Sequence, residues 1–251
     1  QYFREHTTKN VAVLAPTGVA AVNIKGQTIH SFFRFKPDIT PDGVHDIRLR
    51  KAQKALYRNI ETIIIDEISM VRADLMDCID TFLRLHGPNP LRAFGGVQMV
   101  FIGDLYQLPP VVTSNERAIF ENVYASPYFF DSKVYQELNN GGQHPQRFTV
   151  IELKKIYRQK EEDFIKLLGT IRNRTATASH LKALNKRYIP HFSPPQDDFY
   201  IYLTTTNAMA DRVNQKKLNE LQSEPYYYEG TVTGQFEKTN LPTHQSLEFK
   251  L

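Results

Sequence analysis

The chain has 251 residues, 41% of them hydrophobic, which is enough apolar material for one large domain or two medium ones. Ordinary glycine and proline usage argues against a fibrous or disordered protein, and the single cysteine, Cys78, rules out an internal disulfide and suits a small core residue in a reducing compartment. No apolar run approaches membrane-spanning length, and the polar start "QYFREHTTKN" lacks the apolar core of a secretion signal.

The first ten residues read as the last turns of an amphipathic helix without an initiator Met, so the chain is expected to be a piece of a larger protein. "NVAVLAP", 10–16, is a short apolar run ended by proline and predicts a buried strand. "TGVAAVNIKG", 17–26, opens on Thr and closes on Gly, the signals that start and stop a helix. "QTIHSFFRF", 27–35, begins a second helical pattern, and "DIRLRKAQKALYRN", 46–59, is a basic amphipathic one. Residues 34–58 hold seven basic and three acidic residues, a surplus of four that matches the net charge of +4 on the whole chain. A local basic segment on a neutral body fits either a polyanion partner or a solvated helix face.

"TIIIDE", 62–67, predicts a second buried strand, and Ser69 is placed to cap the helix after it, whose apolar positions Val71, Leu75, Ile79, Phe82 and Leu83 fall at helical spacing. "VQMVFIGD", 97–104, and "FTVIEL", 148–153, predict two more strands. Strands separated by helical patterns imply βαβ units and a parallel, doubly wound α/β sheet. The linker-like "NNGGQHPQR", 139–147, marks a boundary near residue 150, beyond which helices at 161–174, 179–188 and 207–221 and a strand at 199–204 suggest a second α/β unit.

Five blocks could carry chemistry. Asp66 and Glu67 stand at the carboxyl end of a strand, where α/β sheets bind ligands; Asp can hold Mg²⁺ and the neighbouring Glu can deprotonate a water, or the pair can simply be a solvated helix start. In "FIGDLYQLPPVV", Gln107 sits on a turn stiffened by Pro109 and Pro110. Its amide can report a γ-phosphate or merely satisfy the loop's backbone. Arg158 in "LKKIYRQ" suits a phosphate held between two domains, or an ordinary salt bridge. The N–H groups at Thr17 and Gly18 suit a phosphate, and His30 and Ser31 a nucleic acid strand, whereas Phe32 and Phe33 at helical spacing are more simply core. "LTTTN" offers Thr205, Thr206 and Asn207 at a helix start, for a backbone phosphate or for N-capping alone. The scattered histidines and lone cysteine show no zinc spacing, and no G-x-S-x-G elbow is present.

In order, "APTGVAA", "TIHSFF", "IIIDEISMV", "GDLYQLPPV", "IYRQ" and "LTTTN" closely resemble the Pif/RecD-like DNA helicases of superfamily one, from about residue 10 to 221, and "LPTHQSLEFK" is similar to that family too. The resemblance implies two RecA-like domains of the P-loop NTPase type, 1–149 with a small wedge-like insertion at about 34–58, and a partial second domain at 150–251. ATP would lie in the cleft between them and single-stranded DNA across their top. It implies that Asp66 coordinates Mg²⁺, that Glu67 is the base for water, that Gln107 senses the γ-phosphate and that Arg158 is an arginine finger. It also implies that Thr17, Gly18, His30, Ser31, Thr205, Thr206 and Asn207 grip DNA. The expected activity is 5′-to-3′ unwinding at junctions of single- and double-stranded DNA, in repair, recombination or telomere maintenance, by a monomer with no membrane partner. The expected place is intracellular: nucleoid-associated in a bacterium, nuclear or mitochondrial in a eukaryote.

The chain departs from the family in having no G-x-x-x-x-G-K-[ST] phosphate loop and no Gly-Lys dipeptide, and the family's later motifs would lie beyond Leu251. The fragment alone is therefore expected to hydrolyse ATP negligibly. Two rivals stand beside the helicase: an ATP-independent single-strand-binding module, and a metal-dependent nuclease for which Asp104 is the only obvious further carboxylate. Convergence of Gln107 and Arg158 with the carboxylates in one cleft separates the helicase from a purely structural module.

Overall fold

The computed structural model describes residues 6–140, 148–157, 159–195, 200–233 and 246–250. By compactness the chain divides into two units, Gln1–Thr175 and Ala176–Leu251.

In the first unit, β1 (Val11–Ala15), β2 (Gln27–Thr28), β3 (Thr62–Ile65) and β4 (Gln98–Phe101) form one sheet in the order β2-β1-β3-β4, with every pairing parallel. The α/β class with a parallel sheet is therefore as the sequence pattern implies. Leu14, Ile65 and Phe101 stand in register across three strands, so the carboxyl ends of β1, β3 and β4 finish side by side.

Helices fill the crossovers. α1 (Gly18–Asn23) joins β1 to β2, capped by Thr17, whose Oγ accepts from the Ala20 N–H at 3.3 Å. α2 (Ile29–Phe33) and α3 (Lys51–Arg58) precede β3. The pattern at 27–35 predicts one helix, but Gln27 and Thr28 pair with β1 first, and the helix starts only after Thr28, whose Oγ1 accepts from the Ser31 N–H at 3.1 Å. The basic helix is likewise shorter than 46–59, because Ile47 and Leu49 ahead of it pack against the core outside the helix.

α4 (Ala73–His86) covers the sheet with Met76, Ile79, Phe82 and Leu83, all fully buried. Phe82 sits 5.2 Å from the ring of Phe33 and 4.8 Å from that of Tyr57, whose hydroxyl donates to the Phe32 carbonyl. Phe33 is thus core, and Phe32 is partly buried against it. Ser69 does not cap α4. It lies in a 3₁₀ turn, Ile68–Met70, that carries Ile68 and Val71 into the core, and the helix begins three residues beyond that turn, after Arg72.

A left-handed turn then leads into β4. There Gly95 (φ 62°) passes so close to α4 that a β-carbon would lie 2.2 Å from the Leu83 carbonyl oxygen, which excludes any side chain. α5 (Ser114–Glu121), α6 (Lys133–Asn139) and α7 (Glu162–Arg172) complete the unit. Asp77 of α4 pins α6 by accepting from the N–H groups of Lys133 and Val134, at 3.2 and 3.1 Å.

The strand predicted at 148–153 does not form. Val150 and Leu153 are 85% and 88% exposed, and an apolar run becomes a strand only where a neighbour offers its ladder.

In the second unit, α8 (Ala178–Asn185) and α9 (Asn207–Glu220) are followed by an antiparallel pair, β5 (Tyr226–Glu229) with β6 (Ser246–Phe249). Residues 200–204 carry no strand, and Leu203 is 94% exposed. The cap of α9 is Thr206 rather than Asn207: its Oγ1 accepts from the Met209 N–H at 3.3 Å, and Asn207 is the first helical residue. Among the described residues no helix is long and apolar enough to cross a membrane.

Candidate functional site

The three adjacent strand ends build one cleft of about 260 Å³. Thr17 follows β1, Asp66 and Glu67 follow β3, and Gln107 follows β4, and all four line it. Val19, Ala20, Met70 and Leu108 supply its apolar wall and Asn23 a further amide. This is the crevice outside the carboxyl ends of parallel strands, where open α/β sheets bind ligands.

The local geometry follows from the ladder. The Asp66 N–H donates to the Leu14 carbonyl at 2.9 Å, extending the β1–β3 pairing by one residue. The chain then turns sharply, with Glu67 at φ 51° and ψ 43°, a left-handed conformation that costs a residue with a β-carbon about 1–2 kcal/mol. The turn lets both carboxylates reach the cleft, which a continuing strand with alternating faces would forbid. The Glu67 N–H donates to Asp66 Oδ1 at 3.0 Å, which ties the carboxylate to the turn.

The loop after β4 is zipped to the loop that carries the carboxylates. Ile102 N–H donates to the Ile65 carbonyl at 2.9 Å and Ile68 N–H to the Ile102 carbonyl at 3.0 Å. Gly103 permits the contact, since a β-carbon there would stand 3.0 Å from both Ile68 Cγ2 and the Ile68 nitrogen. Asp104 then folds the loop, accepting from the Tyr106 N–H on Oδ1 at 3.0 Å and from Gln107 Nε2 on Oδ2 at 3.4 Å.

The structure thus brings Asp66, Glu67 and Gln107 together and adds Thr17, which sequence reasoning had set among the DNA contacts. Gly18 opens α1 with free space around its α-carbon. His30 and Ser31 lie on α2 and do not line the cleft: Ser31 is exposed, while His30 is half-buried, edge-on to Phe35 at 6.5 Å, with its pKa lowered by that burial. Thr205, Thr206 and Asn207 belong to the second unit, at the exposed start of α9. Arg158 lies outside the described residues. Residues missed from sequence are Asn23 and Arg172; the latter ion-pairs with Asp104 at 3.0 Å, a partnership 68 positions apart that no local pattern signals. Among the described residues no cluster of three or more His, Cys, Asp or Glu could hold a metal, so Asp104 does not complete the carboxylate set a nuclease would want.

A model of the PIF1-like helicase family matches residues 2–181. The ATP-dependent DNA helicase PIF1 of Candida albicans is 33% identical over 236 residues, which cover 92% of this chain and 25% of that protein. The crystal structure of a Bacteroides Pif1 helicase with ADP-AlF3 and single-stranded DNA superposes with a TM-score of 0.81 at 34% identity, over 99% of this chain and 56% of that one. A structure described as the basis for DNA unwinding at forked double-stranded DNA by two coordinating Pif1 helicases gives 0.79 at 36% identity, over 99% and 57%. The chain therefore spans about a quarter of the length of the curated PIF1 helicase of Candida albicans and about half of the solved ones.

Proposed function

The chain belongs to the PIF1-like helicase family, and from that premise we propose that it carries the water-activating half of an ATP-dependent DNA helicase site. The observation that supports this most is the convergence of Asp66, Glu67 and Gln107 in one cleft at the ends of β3 and β4. Glu67 takes the proton of the attacking water, whose oxygen bonds to the γ-phosphorus as ADP leaves. Gln107 reports the γ-phosphate through its amide. Asp66, beside Glu67 at the end of β3, is the residue that would hold Mg²⁺; the ion, when bound, offsets phosphate charge. Arg158 acts as an arginine finger.

On the same reading the chain divides functionally at 149/150. Thr17, Gly18, His30, Ser31, Thr205, Thr206 and Asn207 hold the sugar-phosphate backbone of single-stranded DNA, and the basic segment 34–58 meets the junction with duplex. Within that segment Lys51, Lys54 and Arg58 share one exposed face of α3. Translocation runs 5′ to 3′ by a monomer. Residues 1–251, which contain no Gly-Lys phosphate loop, hydrolyse ATP negligibly by themselves.

The test is DNA-stimulated ATP hydrolysis and strand separation by the full-length protein. Glu67→Gln is expected to lower kcat by at least about 10²-fold while ATP and single-stranded DNA still bind. Hydrolysis by that variant at the wild-type rate would sink the assignment. Salt-sensitive DNA binding by a full-length protein without any ATPase activity would favour the single-strand-binding module instead.

A further inference from the structure

Asp104 is more than the hinge of the sensor loop. Its Oδ1 accepts from Arg172 Nη2 at 3.0 Å, and its Oδ2 accepts from the side-chain amide of Gln107 at 3.4 Å. The Arg172 guanidinium also stacks 4.6 Å from the centre of the Tyr106 ring, so one side chain of α7 grips two residues of the four-residue turn that ends in Gln107. Both partners are partly solvated, with side chains 50% and 27% exposed, and an ion pair in that setting adds little to stability. No residue of α7 is buried, so the clamp is not needed to seat a core element.

We propose that Arg172 is a positioning residue for Gln107 and the counter-charge of Asp104. This rests on reading Gln107 as the γ-phosphate reporter. Without Arg172, the Asp104 carboxylate stands unneutralised within hydrogen-bond reach of the amide that must meet an anionic phosphate. It then both repels the phosphate and competes for the amide N–H. With Arg172 in place the carboxylate is neutralised, and the Gln107 carbonyl oxygen and second N–H remain available to the cleft.

The test compares the affinity of full-length protein for a non-hydrolysable ATP analogue and for ADP, with kcat measured alongside. Arg172→Gln is expected to lower the preference for the triphosphate about tenfold, leaving the ADP affinity and the melting temperature nearly unchanged. Adding Asp104→Asn to Arg172→Gln is expected to restore most of the preference, because the offending charge is gone while Asn still accepts the Tyr106 N–H. A merely structural clamp would give the double variant no advantage, and that result overturns the proposal, as does an unaltered preference in Arg172→Gln. Gln107→Ala separates the two readings. If it lowers the preference while Arg172→Gln does not, the clamp fails alone; if it changes nothing, the sensor assignment falls and the clamp with it.

Discussion

At the scale of single residues, Glu67 shows most directly how the candidate cleft is built on a strained turn. A glutamate has no intrinsic reason to adopt φ 51°, and the left-handed turn survives because the ladder before it and the 3₁₀ turn after it dictate it. Glu67→Gly is expected to stabilise the fold by about 1 kcal/mol in urea unfolding, because glycine adopts this conformation at no steric cost, while abolishing ATP hydrolysis. A destabilised variant would mean the side chain holds the turn rather than the reverse. Ser69 makes the complementary point. Its hydroxyl is buried with no hydrogen-bond partner among the described residues, so Ser69→Ala is expected to leave stability unchanged or raise it by up to about 1 kcal/mol. A large loss of stability on that change would reveal a hydrogen bond for the hydroxyl.

At the scale of elements, the site is a set of strand ends held at a fixed spacing. Gly103 is where a side chain after β4 would press on the carboxylate loop. Gly103→Ala forces them apart and is expected to cost about 1–3 kcal/mol and to lower kcat beyond what the stability loss explains, measured well below the unfolding transition. α4 holds the sheet from the other side through Phe82, which meets Phe33, Phe35, Tyr57 and His86. Phe82→Ala is expected to cost about 3–5 kcal/mol, a large share of the stability of an ordinary domain, and to appear as a lower urea midpoint. The polar anchors of α4 behave differently. Asp80 accepts from the Phe94 N–H and from Arg84, yet its pKa is raised, because desolvation outweighs those contacts.

At the scale of the whole molecule, acid sensitivity should come from two histidines. Burial lowers the pKa of both His30 and His86 below the ordinary 6.5, and for His86 the nearby Lys54 adds to it. The unfolded chain therefore binds protons that the folded chain refuses. Their contribution to stability is full above about pH 6.5 and is lost progressively as pH falls from there toward the folded pKa values. The urea midpoint is expected to be lower at pH 5.5 than at pH 7.5, and a His30→Gln, His86→Gln variant is expected to lose much of that difference. An undiminished difference in the variant would assign the acid sensitivity to other groups.

Much of the candidate cleft was legible in the residues themselves. Runs such as "IIIDE" and "VAVLAP" declare buried parallel strands because β-branched side chains suit a sheet covered on both faces, and the polar residues after them must then lie at strand ends. That reasoning is local, and it located Asp66, Glu67 and Gln107. It failed where a neighbour had to be present. Residues 148–153 and 200–204 have strand composition but no strand among the described residues, since a ladder needs a second edge. It also failed to see Thr17 beside the carboxylates, or Arg172 on Asp104. Those meetings depend on the order in which β1, β3 and β4 pair and on the course of the chain to α7, and each is a contact between residues far apart in sequence. The sequence by itself determined which groups stand at the strand ends. The tertiary structure decided which of them share a cleft, because strand order and register set distances that no spacing along the chain encodes.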